Sequence, residues 1–233
     1  MSSPLLSVEA QKRAVGEAAA LLVEDGMTVG LGTGSTAAYF VRALGARGLD
    51  IRGVPTSEAT ARLAAEVGIT LVTLDEAGEL DLTVDGADEI DPDLNCIKGA
   101  GGALLREKLV WEASRRVVVI ADAAKRVERL GAFVLPVELV AFGHGSIARR
   151  LGAALADEGV SDPPALRGKG GAPVMTDGGN VIYDVLCRVI EDSATLGSRL
   201  KALTGVVEHG LFIRLASELL LGSPDGVRRL GRA

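Results

Sequence analysis

Between residues 27 and 122 the chain alternates short apolar runs with stretches of helical spacing, and that alternation leaves few folds open to it. MTVGL (27–31), IRGVPTS (51–57), TLVTL (70–74), DLTVDGAD (81–88) and RVVVIAD (116–122) read as strands. The segments STAAYFVRALGARG, SEATARLAAEVG and residues 102–114 instead place apolar residues at every third or fourth position, as amphipathic helices do. Residues 7–25 read as one more helix, with Val8, Ala14, Ala18, Leu21 and Leu22 along one stripe. Strand–helix–strand repetition of this kind predicts an α/β fold with a doubly wound, mostly parallel sheet.

Near Gly131 the pattern changes. FVLPVELVAFG, PALRGK and VMTDGGNVIYDVLC are strand-like, with helical stretches at 144–158 and 194–204 among them. The DGGN run at 177–180 predicts a hairpin turn. The expectation is therefore two units: an α/β domain from residues 1–130 and 206–233, and a smaller α+β domain over 131–205. The apolar tail VVEHGLFIRLASELLLG would bring the chain back to the first of them.

Composition narrows the function classes. At 233 residues, 48% of them apolar, the chain can bury a sizeable core and is not a disordered type. It has no run of about 18 apolar residues, so no membrane span is expected. The N-terminal segment has no basic region followed by an apolar block, so no secretory leader is expected. A formal charge of −6 and 3% aromatic content argue against nucleic acid as a partner. Cys96 and Cys187 lie far apart and suggest neither a metal pair nor a disulfide, which makes a reducing cytoplasm the expected setting.

Two segments carry chemistry. The first runs from Gly30 to Thr36, between a strand and a helix, where glycines let successive amides converge and Ser35 and Thr36 add hydroxyls. It has no lysine for a Walker A loop and no properly spaced third glycine for a dinucleotide fingerprint. A site for a simple phosphate ester, or a tight turn with no ligand, remains. The second is the 24-residue stretch from Asp85 to Lys108, with Asp85 and Asp88 three residues apart, Lys98 on a glycine-rich turn, and Glu107 on the next helix. A core excludes charge and glycine, yet this segment sits where a strand ends and a helix begins, which is where open α/β sheets hold ligands.

Asp91, Asp93 and Asn95 begin like a calcium loop, but Cys96 stands where its glycine belongs and Gly102 where its glutamate belongs. A lysine beside Asp85 and Asp88 also disfavours a cation, so no metal site is expected. His144 and His209 are far from both glycine segments in sequence and read as structural or solvated. The general base must then be a carboxylate. A carboxylate, an ammonium and a nest of amides suit proton abstraction next to a carbonyl, with the developing enediolate held by the positive groups. Aldose–ketose isomerisation of a sugar phosphate is that chemistry.

At this point the residues match a family. TGST (Thr33 to Thr36), DGADEID (Asp85 to Asp91), the Lys98–Gly102 turn, REK (Arg106 to Lys108), LPVE (Leu135 to Glu138) and Gly179, Asn180 and Asp184 occur in the order found in A-type ribose-5-phosphate isomerases, which the chain resembles over nearly its whole length. The resemblance implies a reaction of the non-oxidative pentose phosphate pathway, ribose 5-phosphate to ribulose 5-phosphate, with no cofactor and a homodimer or homotetramer. It implies Glu107 as proton carrier, Asp85 and Asp88 as holders of sugar hydroxyls during ring opening, and Lys98 as the enediolate's partner. Ser35, Thr36 and Lys125 would grip phosphate, helped by Lys12, with Thr33, Gly34, Gly86, Ala87, Gly99, Ala100 and Gly101 completing the substrate-binding surface.

One residue departs from the family pattern: Ala100 replaces a glycine. If that position needs positive φ, the nest is distorted; if it only packs, little is lost. The rival readings are a sugar-phosphate sensor domain without chemistry and a related acyl-CoA transferase. The absence of a DNA-binding extension and the retention of both Lys98 and Glu107 weigh against the sensor. The short chain and the phosphate loop weigh against the transferase.

Overall fold

The computed structural model describes residues 6–231, so the outermost ends of the large unit expected from sequence, 1–5 and 232–233, lie outside the described residues. Helix α1 (Val8–Ala20) starts at Ser7, whose side chain accepts from the Ala10 amide at 3.2 Å. It stops short of the expected residue 25: Leu21 is 72% exposed, and Gly26 at φ 82° turns the chain into strand Thr28–Leu31. Helices α2 (Ser35–Gly45) and α3 (Glu58–Glu66) follow where expected, α3 capped by Ser57. The strand expected at 70–74 shrinks to Thr70–Leu71. Thr73 and Glu76 form a reciprocal capping box that starts α4 (Leu74–Ala77) instead, giving the backbone a partner other than the sheet. Further along lie α5 (Leu104–Glu112), α6 (His144–Ala156) and α7 (Ser193–Lys201).

The large sheet has seven strands. From one edge they run Gly226–Gly231, Glu218–Ser223, Val117–Asp122, Leu82–Gly86, Thr28–Leu31, Arg52–Pro55 and Thr70–Leu71. Every pairing is parallel except that of the two C-terminal strands. The chain winds outward from Thr28–Leu31 to one edge, then returns to place Leu82–Gly86 on that strand's other side. The winding therefore reverses between these two strands, and a ligand crevice is expected at their C-terminal ends. Those ends carry Gly32 to Thr36 and Asp85 to Asp88.

Both faces of the sheet's central strands are buried, which is why those strands read as continuous apolar runs rather than alternating ones. Val118, Ile120 and Leu220 face a core with Val15 and Ala19 of α1 and Phe40, Val41 and Leu44 of α2. Val117, Val119, Leu219 and Leu221 face the opposite core with Leu104 and Trp111 of α5 and with Phe212.

A second, antiparallel sheet pairs Leu135–Leu139 with Val181–Val185 on one side and Val206–His209 on the other. Helices α6 and α7 close over it through Ile147, Leu151, Leu155, Leu196 and Leu200. The sequence placed 206–209 in the large unit, but the backbone of these residues completes the small sheet. The return crossing comes later, through Leu211–Phe212 paired with Cys96–Ile97, and rejoins the large sheet only at Glu218. The last strand, Gly226–Gly231, is half-polar and exposed, and hydropathy alone does not mark it.

Candidate active site

A cavity of about 200 Å³ opens at the switch point of the large sheet. It is lined by the start of α2 (Thr33 to Thr36), the segment after strand Leu82–Gly86 (Gly86 to Asp88), the turn Lys98 to Gly101, and Glu107, with Lys12 and Lys125 at its rim. Of the site residues named from sequence, all but Asp85 line it.

One end is built for an anion. Gly34 adopts φ 113° and ψ 178°, a conformation essentially restricted to glycine, and α2 begins immediately after it. The first helical bond runs from the Ala38 amide to the Gly34 carbonyl at 3.0 Å, and no side chain caps the start of the helix. The amides of the first turn thus point outward at the positive end of the helix. Lys12 Nζ lies 3.3 Å from Ser35 Oγ, and Lys125 closes the 3₁₀ turn (Ala123–Lys125) after strand Val117–Asp122. Thr33 faces away from this end. Its hydroxyl bonds with Thr56, Ser57 and Thr60 at 2.7, 2.8 and 3.1 Å, so the side chain braces the loop.

At the other end three charged groups are buried together. Lys98 Nζ lies 3.0 Å from Asp85 Oδ2, 3.2 Å from Glu107 Oε1 and 2.5 Å from the Gly86 carbonyl. It also sits over the rings of Trp111 and Phe212 at 5.1 and 5.5 Å. Burial alone would lower the Lys98 pKa, but Asp85 and Glu107 outweigh it and raise the pKa, so the ammonium stays charged.

Asp85 is fully buried and uses both oxygens on the protein. Oδ1 accepts from the Thr33 and Gly86 amides, and Oδ2 accepts from Trp111 Nε1 at 3.0 Å as well as pairing with Lys98. Asp88, by contrast, lines the cavity, with Oδ2 accepting from the Ala100 amide at 2.9 Å.

Glu107 is 4% exposed. Its Oε1 pairs with Lys98, while Oε2 is buried with no hydrogen-bond partner among the described residues. Burial pushes its carboxyl up to about 8 against the opposing pull of Lys98. A carboxylate with one oxygen uncommitted and raised basicity is a poised proton acceptor. The neighbouring Lys108 is structural. It bonds Glu208 at 2.7 Å and the His209 carbonyl at 2.8 Å, tying α5 to strand Val206–His209. His209 is buried there and its pKa falls to about 4, through burial first and Lys108 second, so it is a neutral packing residue at neutral pH. His144 bonds Tyr183 within the small unit.

Gly99 and Gly102 take φ of 110° and 79°, but Ala100 is not among the residues at positive φ, and its methyl is exposed. Alanine therefore fits the turn without strain.

Two contacts were not visible in the sequence. The indole of Trp111 holds Asp85, and since it follows Glu107 by one helical turn, helical spacing could have suggested that both face the site. Arg167 of the small unit, paired with Asp184, reaches the carbonyls of Gly99 and Ala100 at 2.8 and 3.2 Å. No local pattern marks it.

Comparison with known proteins settles the kinship. Residues 52–226 match the family model for ribose 5-phosphate isomerase A (phosphoriboisomerase A). The chain belongs to that family. It is 63% identical to the ribose-5-phosphate isomerase A of Caulobacter sp. (strain K31), across 97% of this chain and 99% of that protein. It is 52% identical to the corresponding protein of Methylorubrum extorquens, covering 97% and 95% of the two chains. Among solved structures, ribose 5-phosphate isomerase A from Neisseria gonorrhoeae superposes with a TM-score of 0.90 at 38% identity over 98% of this chain and 99% of that one. A D-ribose-5-phosphate isomerase solved in complex with phospho-erythronic acid gives a TM-score of 0.91 at 37% identity over 97% and 100%. The α/β fold expected from sequence is the fold of these structures.

Proposed function

We infer that the chain interconverts D-ribose 5-phosphate and D-ribulose 5-phosphate, and that Glu107 carries the proton between carbons. The observation that supports this most directly is Glu107 itself: buried, 3.2 Å from an ammonium, with one oxygen unpartnered and a raised pKa beside the cavity. The phosphate sits against the first turn of α2, with the hydroxyls of Ser35 and Thr36 and the ammoniums of Lys125 and Lys12 around it. The acid bound by one solved relative, phospho-erythronic acid, carries a carboxylate and a phosphate, and this cavity is lined by the first turn of α2 at one end and by Lys98 at the other.

In the open-chain aldose, Glu107 removes the hydrogen from C2. The electron pair moves into the C1–C2 bond and onto O1, giving an enediolate. Lys98 lies nearest the reacting carboxylate and offsets the charge on that oxygen. Glu107 then returns the proton to C1, while the O2 proton passes to O1, leaving a ketone at C2 and an alcohol at C1. Asp85 holds Lys98 in place rather than touching sugar, because both its oxygens are committed and it does not line the cavity. Asp88 is left to meet the sugar hydroxyls and to assist ring opening. No residue cluster suited to a metal ion occurs among the described residues, and the steps above use only these side chains.

The reading extends to a homodimer or homotetramer working in the cytoplasm, in the non-oxidative pentose phosphate pathway. Sedimentation equilibrium reads the assembly. Incubating the purified chain with ribose 5-phosphate and following ribulose 5-phosphate tests the activity, and no product above the uncatalysed rate would end the proposal.

A further inference from the structure

The turn Lys98 to Gly102 is held from outside by the small unit. Arg167 lies between the short strands Ala165–Leu166 and Gly168–Lys169, and its amide donates to the Ile182 carbonyl. Its guanidinium is gripped by Asp184, with Nε donating to Oδ2 at 2.9 Å and Nη2 to Oδ1. The remaining edge of the fork reaches the turn: Nη1 donates to Gly99 O at 2.8 Å and to Ala100 O at 3.2 Å.

A trans peptide is planar and carries its C=O and N–H on opposite edges. Holding the Gly99 carbonyl from the small-unit side therefore turns the Ala100 N–H to the other side, where Asp88 Oδ2 accepts it at 2.9 Å. Holding the Ala100 carbonyl does the same for the Gly101 N–H, which has no hydrogen-bond partner among the described residues and belongs to a residue lining the cavity. A cation on the carbonyl edge also polarises each peptide toward a stronger N–H donor.

We propose that Arg167, fixed by Asp184, is a positioning residue for the isomerisation. It sets and polarises the peptides 99–100 and 100–101, so that Asp88 is oriented and the Gly101 amide faces the enediolate oxygens. This rests on the functional reading above. Arg167 acts through the turn and touches no substrate. Because it serves the sugar end, its loss should spare phosphate binding.

The test uses the full chain and the variants Arg167→Gln, Arg167→Lys and Asp184→Asn, with melting curves confirming a folded state. Three quantities are read: kcat and KM for ribose 5-phosphate, inhibition by inorganic phosphate as the probe of the phosphate end, and inhibition by phospho-erythronic acid as the probe of both ends. Arg167→Gln is expected to lower kcat by about ten- to a hundredfold, up to the lower end of the roughly 10²–10³ lost when an oxyanion donor is removed outright, because here the donor is misaligned rather than removed. KM and phosphate inhibition should stay within about threefold of wild type. Inhibition by phospho-erythronic acid should weaken along with kcat. Arg167→Lys keeps the charge but cannot span Asp184 and two carbonyls, so it should fall between the two. Asp184→Asn loosens the fork and should show the same split more weakly, and it carries the test if Arg167→Gln does not fold.

A folded Arg167→Gln with wild-type kcat would overturn the proposal. So would a joint loss of kcat, substrate affinity and phosphate inhibition, which would make the pair a general structural tie. A wild-type chain that fails to turn over ribose 5-phosphate would overturn the functional reading, and this role with it.

Discussion

Replacing Lys98 by Met removes the cation between two buried carboxylates while nearly keeping the side chain's length and shape. The ammonium now meets Asp85 at 3.0 Å, Glu107 at 3.2 Å and the Gly86 carbonyl at 2.5 Å, and both carboxylates are almost fully buried. Removing one partner of such a cluster costs about 3–5 kcal/mol, because the remaining charges stay buried unpaired. For a chain of this size that lowers the melting temperature by about 6–20 °C. The cost should depend on pH in a stated direction. Glu107 already sits at about 8, up from an ordinary 4.5, and without Lys98 it rises further. A carboxyl whose folded pKa exceeds its unfolded one favours folding at low pH and opposes it as pH climbs from the unfolded toward the folded pKa. The variant should thus recover much of its deficit at pH near 5 and be worst above pH 8. Melting curves by circular dichroism at both pH values, beside wild type, measure this. A deficit under about 1 kcal/mol, or one equal at both pH values, would mean that Lys98 is not the counter-charge described.

Three further outcomes are expected. Lys125→Ala should raise KM by about ten- to a hundredfold, the worth of one charged hydrogen bond to phosphate, at nearly unchanged kcat; a large fall in kcat at constant KM would place Lys125 in the chemical step. Ala100→Gly should keep kcat within about twofold and cost no more than roughly 1 kcal/mol of stability from added backbone freedom, since Ala100 is not at positive φ; a clear gain in kcat would show strain in the turn. In a pH profile, kcat/KM should rise with pH through neutrality toward about 8, where Glu107 ionises, rather than level off near the ordinary 4.5; a plateau reached by pH 5.5 would contradict the raised basicity.

The parts of this molecule that a linear reading finds are those whose physics is local or periodic. Central parallel strands such as Val117–Asp122 are buried on both faces, so they stand out as apolar runs. The DGAD segment shows itself because charge and glycine follow such a run directly. The exposed C-terminal edge strand lacks that contrast, and Val206–His209 carries no local mark of which sheet it joins, so only its pairing with Leu135–Leu139 assigns it. Thr70–Leu71 lost its expected length to a local capping box that competes with strand formation. Within the site, Ser35, Thr36, Asp88 and Lys125 line the cavity because each follows the end of a central strand. What escaped was direction: Thr33 turns its hydroxyl inward, and Asp85 turns away from the cavity to hold Lys98. Arg167 reaches carbonyls 67 and 68 residues away in sequence, a contact that no local pattern encodes.

In the proposed mechanism Glu107 alone moves the proton. The most direct test is to follow Glu107→Gln and wild type with ribose 5-phosphate in deuterated water, measuring both turnover and exchange of the migrating hydrogen with solvent. Glutamine keeps the volume and the hydrogen-bonding shape but cannot accept a proton, so turnover and exchange should fall together by about 10²–10⁴-fold or more, with inhibition by inorganic phosphate little changed. Near-normal turnover, or exchange that persists at the wild-type rate, would remove Glu107 from the mechanism.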